Sequence, residues 1–472
     1  MKKAILPIFT GALLLSACAV GPNYHPPQTP GSAAQRFVGE GAPTQDDVTP
    51  ADGQWWRLYN DSVLNDLIAG ALSANTDLRV AVARLEKARS VLRSVKSDIY
   101  PKTRIDVKRA KQRVPDHLEA NGEREYQSVE AGLGISYELD LFGRVRRAVE
   151  SAHGDWQAAE ADRDAVMVVV VADIVHGYAD ATTSAQRIAV AEQTVELLDR
   201  SMRITSARVE TGRSDRLDLI QMKALRDEQR AELPPLRAQR EAALFRLATL
   251  TGRTPHDLPA RVLEAKTVPL IDQPIPLGDG AALIARRPDV RAAERRLAAS
   301  TARIGVATAD LYPRVSLLGR VGTNSVGVPE SFSASSSSWL IGGLISWDFP
   351  NIAATRARIA GANADAQVSL ASFDGAVLAA LEETETALSA NAHEMTRNEA
   401  LREARDEALR AACISAARQR EGTIDFLTVL DAQRTLAGAQ ATLAASDAQL
   451  IFTQVDLFKA LGGGWQQAEN RL

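Results

Sequence analysis

The sequence predicts a mainly α-helical chain with a small membrane β-region. It reads as two structural repeats, each with two transmembrane β-strands plus long α-helices. Three observations predict this. One residue pattern returns later in the 472-residue chain at an offset of 210–212. Each copy holds segments that alternate apolar and polar, the period of a strand with one wet and one apolar face. Each copy then runs into a long stretch without proline, Arg144–Val209 and Ala353–Arg420.

Composition narrows the classes first. Hydrophobic residues are 45% and charged residues 24%, too apolar for a disordered chain. The net charge of −4 lacks the basic balance of a nucleic-acid binder. Aromatics are only 5%, whereas alanine supplies 79 residues, a mix suited to long, closely packed helices. Two cysteines exclude a disulfide framework, and scattered histidines exclude a Cys/His zinc site.

Residues 1–17 read as a lipoprotein signal peptide. Lys2 and Lys3 precede an apolar run, Ala4–Leu15, that is too short to span a bilayer. Leu15-Ser16-Ala17-Cys18 resembles a bacterial lipobox, which makes Cys18 the S-diacylglycerol and N-palmitoyl position. The alternative is an ordinary signal peptide followed by a chance cysteine. Ala19 in place of an aspartate resembles lipoproteins sorted to the outer membrane. Cys413, left without a partner, is expected to be a small packing residue in a helix. Val166–Val171 is apolar but much too short to span.

Residues 18–54 form a lipidated proline-rich linker (Pro22, Pro26, Pro27, Pro30, Pro43, Pro50), expected to be a semi-extended spacer with nothing to pack. Order is expected from Trp55-Trp56. The first repeat covers 55–254, with a hairpin at about 101–141 and a helical hairpin at 144–252. After a linker at 255–278, the second covers 279–464, with a hairpin at about 313–349 and helices at 353–462; 465–472 is a tail. The register is carried by Tyr100-Pro101 and Tyr312-Pro313, and by Asp77-Leu78-Arg79 and Asp289-Val290-Arg291, at an offset of 212. Ser136/Ser346, Gly212/Gly422, Leu217/Leu427 and Gly252/Gly462 follow at 210.

Proline ends the first helix of each repeat, because the residue before it is pushed toward extended geometry. From Val129 to Leu141 every odd position is apolar and every even one polar or glycine. Thr103, Ile105 and Val107 alternate with Lys102, Arg104, Asp106 and Lys108. Trp339, Ile341, Ile345, Trp347 and Phe349 share a face in the second repeat, although Leu340 and Leu344 interrupt the polar side. Transmembrane strands have this length and pattern; a soluble sandwich face is the other reading. A helix as long as Arg144–Val209 reaches about 100 Å and has no globular core to lie on. Heptads run through Ile188, Val195, Met202 and Val209, with Ala191, Leu198 and Thr205 beside them. They recur at Val429, Leu436, Leu443, Leu450 and Leu457. Pro234-Pro235 should kink the middle helix.

Four strands cannot close a barrel, and open edges are not tolerated in lipid. Two copies would supply eight strands and three would supply twelve. The helical hairpins turn at Glu210-Thr211-Gly212 and Glu421-Gly422-Thr423, away from the strands.

Several segments then carry a family resemblance: CAVGPNYHPP, QWWRLYNDSVLNDLIAGAL, ANTDLRVAVARLEKAR, SYELDLFGRVRRAVE, ARVETGRSDRLDL, ARQREGTIDFLTVLDAQRTL and LFKALGGGW. The chain resembles the outer-membrane factor family of tripartite efflux pumps, the TolC-like channel-tunnels, in its lipoprotein (NodT-type) branch. The resemblance spans nearly all of Cys18–Trp465. It implies an outer-membrane efflux channel-tunnel, trimerising into a 12-stranded β-barrel and an α-helical barrel that extends into the periplasm. It also implies a periplasmic membrane-fusion adaptor, an inner-membrane transporter of the RND type and outer-membrane lipid as partners, with no cofactor. SWDFPNIAATRAR departs from the glycine-rich turn common after the last strand, a branch difference.

Leu427 and Asp431, four residues apart and off the heptad seam, share one helix face. By the resemblance they match the periplasmic constriction, where three copies would make an apolar ring and an acidic ring that favours cations. Thr428 stands where some relatives carry a second acid. Gly212, Gly422 and Thr423 match the adaptor-docking hairpin tips. Arg144, Arg146 and Arg147 beside Asp140 read as a barrel-to-helix junction. Tyr137, Trp339 and Trp347 suit an aromatic girdle or packing between strands and helices. An enzyme is not expected. His25, His117, His153, His176, His256 and His393 lack ligand spacing, and no phosphate loop is present. Type I protein export uses the same architecture and stays open as an alternative, as does a non-conducting structural lipoprotein.

Overall fold

The computed structural model describes residues 19–28, 31, 35, 37–38, 54–113, 115, 125–212, 214–266, 271, 280–326, 334–350 and 352–463. The leader 1–17, Cys18 and the tail 465–472 lie outside the described residues, as do 39–53 and, apart from Ile271, 267–279. In chain order the elements are α1 (Ser62–Ala74), α2 (Thr76–Lys96), β1 (Lys102–Arg113), β2 (Glu125–Leu139), α3 (Arg144–Glu210), α4 (Arg216–Ala231) and α5 (Leu233–Leu250). There follow α6 (Ala260–Glu264), α7 (Gly280–Arg286), α8 (Pro288–Ala309), β3 (Arg314–Val326), β4 (Ser337–Ser346), α9 (Ile352–Arg420) and α10 (Phe426–Ala460). The repeat is visible in these bounds. Thr76 and Pro288 open α2 and α8 at an offset of 212, and Lys102 and Arg314 open β1 and β3 at the same offset.

The chain divides into two units, one of residues 1–28, 84–160 and 292–375, the other of 29–83, 161–291 and 376–472. The first holds an antiparallel sheet in the order β1-β2-β3-β4. Its register explains the alternation in the sequence. Ile105 pairs with Leu133, Leu133 with Val321, and Val321 with Trp339, so one row crosses all four strands. The next row joins Ile135, Gly319 and Ile341. Since side chains alternate along a strand, every such position falls on one face. That face is apolar and open, with Ile105 77% and Ile341 83% exposed. Arg104, Asp106, Lys108, Glu130 and Arg320 have the opposite parity and lie on the other face, where Arg320 and Glu130 are 3.7 Å apart.

Two strand ends differ from expectation. β2 stops at Leu139, so Leu141 lies beyond it. The Asp140 carboxylate accepts the Val145 and Arg146 amides at 3.0 and 2.9 Å, capping α3 and turning the chain out of the sheet. β4 stops at Ser346, leaving Trp347 and Phe349 past its end. There the Trp347 indole N–H donates to the Leu311 carbonyl at 3.2 Å, and its ring lies 4.8 Å from Phe349.

The proline-rich segment also differs. Residues 19–24 are docked within the first unit rather than being a free spacer, and Phe37 is buried in the second unit. An extended chain keeps its carbonyls free to accept, and buried Arg147 supplies the donors.

The second unit has its core around Trp55, which is 1% exposed and stacked on Phe458 with ring centroids 4.6 Å apart. Ile68, Val171, Ile174, Tyr178, Leu247 and Ile451 are among its buried members. The apolar run of α3 is long and apolar enough to cross a membrane, yet it is a core segment, through Val170, Val171, Ile174 and Val175. In the first repeat, Glu232 interrupts the helix with helical φ/ψ and Pro234 lies in the first turn of α5, where proline's missing N–H is harmless. The second repeat has one 35-residue helix, α10, in the equivalent register.

The heptad seam of α10 is only half the account. Val429, Leu443 and Leu457 are buried, but Leu436 and Leu450 are half-buried. Ala437, Ala444, Ile451, Val455 and Phe458 form a second buried stripe. The cause is that α10 packs on two sides: Ile451, Val455 and Phe458 meet the Trp55 core, while Leu457 and Ala460 meet Leu283 and Leu388. Cys413 is exposed rather than packed. The buried stripe there is Ala408, Ala412 and Ser415, and Cys413 is rotated about 100° away from Ala412.

Candidate functional site

Both hairpin tips belong to the second unit and are built by the same local rules. α3 ends with the Gly212 amide donating to the Val209 carbonyl at 3.0 Å, and α9 with the Gly422 amide donating to Gln419 at 3.1 Å. Gly212 and Gly422 take φ of +69° and +75°, the left-handed geometry that ends a helix. Nothing lies within 4 Å of where a Cβ would project at either. Handedness, not crowding, therefore demands glycine, and the surface at both tips is open. Thr423 is committed to the turn: its amide and its hydroxyl both donate to the Arg418 carbonyl at 3.0 Å.

The returning helices are capped alike. The Asp215 carboxylate accepts the Leu217 amide at 2.8 Å, and the Asp425 carboxylate accepts the Thr428 amide at 2.9 Å. The Thr428 hydroxyl also donates to Asp425, at 2.5 Å. These bonds, the hydroxyl's first and the amide's second, hold the Asp425 carboxyl below the ordinary aspartate range. Thr428 therefore has a definite task at the helix start.

Leu427 and Asp431 stand on the first turns of α10. Leu198, Met222 and Leu225 form a small core, against which Phe426 and Leu430 pack. Leu427, Asp431 and Arg434 follow at i, i+4 and i+7 on another face. Leu427 is 53% exposed, and with Asp431, Gln221, Ala224 and Glu228 it lines an open groove of about 430 Å³. Arg434 faces Glu228 across that groove at 4.0 Å. Among the described residues the Asp431 carboxylate has no ion-pair partner in its own chain. The structure thus brings Leu427 and Asp431 onto one open surface, within a few residues of Gly422 and Thr423. Leu217, 55% exposed, was not singled out from the sequence. Its signal was the repeat itself, since it is the partner of Leu427 at an offset of 210.

Among the described residues no three His, Cys, Asp or Glu side chains are grouped as metal ligands. The arrangement offers surfaces, turns and faces, and its chemistry is that of packing and fixed charge.

Comparison with known proteins decides the family. Residues 67–253 and 281–463 match the family described as outer membrane efflux protein. The chain belongs to that family. It is 30% identical over 474 residues to the probable efflux pump outer membrane protein TtgC of Pseudomonas putida, covering 99% of this chain and 97% of that one. It is also 30% identical over 479 residues to the solvent efflux pump outer membrane protein SrpC of Pseudomonas putida, covering 100% of both. Among solved structures, the outer-membrane channel OprN matches with a TM-score of 0.88 and 36% identity, over 95% of this chain and 100% of that one. This family member is an outer-membrane efflux channel of the tripartite-pump type, with the channel-tunnel fold of its structural neighbours. Its relatives are channel proteins rather than enzymes.

Proposed function

We propose that three copies of the chain close their sheets into one 12-stranded β-barrel and their helices into one α-helical barrel. The assembly is a passive exit duct with no catalytic step of its own. The observation that carries this reading is the sheet, with a continuous, exposed apolar face and edge strands β1 and β4 at its two sides. An open edge is not stable in lipid, and pairing β4 of one copy with β1 of the next removes every edge. Each repeat, 55–254 or 279–464, is then one sixth of the duct.

In this reading Cys18 carries the lipid anchor, and the tips at Gly212, Gly422 and Thr423 receive a periplasmic adaptor. An inner-membrane transporter of the RND type supplies the energy. Relatives named for solvent and toluene efflux support small toxic organic compounds as the cargo class. Leu427 and Asp431 form the closed end, an apolar ring beside an acidic ring. The test is conductance of the purified protein in planar bilayers. The parent should conduct weakly and favour cations, and Leu427→Ala with Asp431→Ala should raise conductance and weaken that preference. Unchanged conductance and selectivity would remove the constriction, and a parent that never conducts would remove the duct.

A further inference from the structure

The segment that follows Cys18 is held by the first unit in a manner a mere tether does not need. The Val20 amide donates to the Phe142 carbonyl at 3.1 Å. Arg147, 4% exposed in the first turn of α3, donates to the Val20 carbonyl at 3.3 Å, the Gly21 carbonyl at 3.4 Å and Asn23 Oδ1 at 2.7 Å. Its remaining terminal nitrogen donates to Glu150 at 2.8 Å, so the buried guanidinium is well matched. The backbones are interlocked as well. A Cβ on Gly21, whose φ is +90°, would fall 2.5 Å from Gly305 Cα. One on Gly143 would fall 2.7 Å from Ala19 Cα, and one on Gly305 would strike the Arg147 side chain at 2.8 Å. Further along, the Tyr24 hydroxyl donates to Glu294 at 2.5 Å, and the Arg295 guanidinium lies 5.9 Å from the Tyr24 ring centre.

The Tyr24 contacts reach Glu294 and Arg295 in the first half of α8, and the contacts of Ala19–Asn23 lie where strand and helix meet. Phe142 and Gly143 follow β2, Arg147 opens α3, and Gly305 is near the end of α8, just before β3. Phe142 also stacks on Tyr312 at 4.5 Å, at the sheet end where the apolar face begins. The segment joins the first repeat, through Gly143 and Arg147, to the second, through Glu294 and Gly305.

We propose that Ala19–Tyr24 is an intramolecular docking strap, keyed by Arg147, that delivers the acyl chains of Cys18 to the apolar rim of the sheet beside Phe142 and Tyr312. Consecutive Cα atoms are only 3.8 Å apart, so a docked Ala19 fixes the level at which its neighbour can leave the protein. Anchor and barrel then meet the bilayer at one level, and the strap fastens the two repeats at their strand-to-helix junctions. The inference rests on the lipidation and barrel reading, and Arg147 acts as a positioning residue.

The strap is tested from both sides. A nitroxide is placed on the exposed position 25 by His25→Cys in a Cys413→Ser chain. Strap release is attempted with Arg147→Met, which keeps the stem and removes the donors, and with Gly21→Val, which leaves α3 untouched. Mass spectrometry reads acylation at Cys18 in every sample. The expected result is an immobile label in the parent, a mobile one in both variants with acylation intact, and at least a threefold loss of heat-resistant oligomer on gels. A label equally immobile in both variants, or equally mobile in the parent, would overturn the strap. A mobile label with oligomer resistance unchanged would overturn the fastening role. A parent with no acyl mass at Cys18 would overturn the delivery role and the lipidation reading together, while the label would still report the docking.

Discussion

Asp61 serves two partners at once. Its carboxylate caps α1 by accepting the Val63 and Leu64 amides at 2.7 and 3.2 Å, and it accepts the Tyr178 hydroxyl at 2.7 Å. Burial, then that bond, push the Tyr178 hydroxyl well above its ordinary range, so it stays a neutral donor. Removing the carboxylate thus takes away a cap, worth about 1 kcal/mol, and strands a hydroxyl at a further cost of about 1–3 kcal/mol. Asp61→Ala should lower the unfolding free energy by about 2–4 kcal/mol on these terms. In a Tyr178→Phe background the same change should cost only the cap. Chemical denaturation of the four chains of this cycle checks it, and equal losses in both backgrounds would show that the hydroxyl is satisfied elsewhere. Neither role was legible in the sequence, because Asp61 and Tyr178 stand 117 residues apart.

Elements were legible where a local rule sufficed. The Tyr-Pro stops, the proline-free helices and the glycine tips follow from backbone sterics, and the register offset carried them from one repeat to the other. Legibility ended where a neighbour decides. A second buried stripe on α10 exists because another element packs there, and no heptad count contains that element. Docking of residues 19–24 was likewise invisible, since it depends on Gly143, Arg147 and Gly305, none of them near that segment in sequence. At the candidate site, the shared face of Leu427 and Asp431 followed from spacing, whereas the groove with α4 needed the fold. The Asp425 cap gives an element-scale prediction. A carboxylate held below its unfolded value of 3.8 stabilises the helix start at pH well above that value. The contribution fades as the pH falls through the depressed folded value. Hydrogen exchange at the Thr428 amide should therefore lose protection, relative to mid-helix amides of α10, as the pH drops below the aspartate range. Asp425→Asn should show weaker protection that no longer varies with pH, and a pH-independent parent would contradict the cap.

At the scale of the whole molecule, the sheet is the part whose surroundings decide its meaning. Its outward face carries Ile105, Val107, Leu133, Ile135, Val321, Trp339, Ile341 and Ile345, large side chains that water would not tolerate as one patch. Its inward face is mixed, since Leu340 and Leu344 stand opposite Arg320 and Ser316. Leu340 and Ile341 are neighbours in sequence and point to opposite faces, so a matched pair of substitutions asks which side meets lipid. Ile341→Lys puts an ammonium among acyl chains and should destabilise the folded barrel by about 2–4 kcal/mol near the bilayer midplane. Leu340→Lys puts the same charge in the aqueous lumen, where it should leave stability nearly unchanged and shift selectivity toward anions. Urea unfolding from liposomes reads the first quantity and reversal potential in planar bilayers the second. If both substitutions cost the same, the sheet is not a membrane wall. If only Leu340→Lys destabilises, the faces are reversed, because a slip of one residue in register exchanges them.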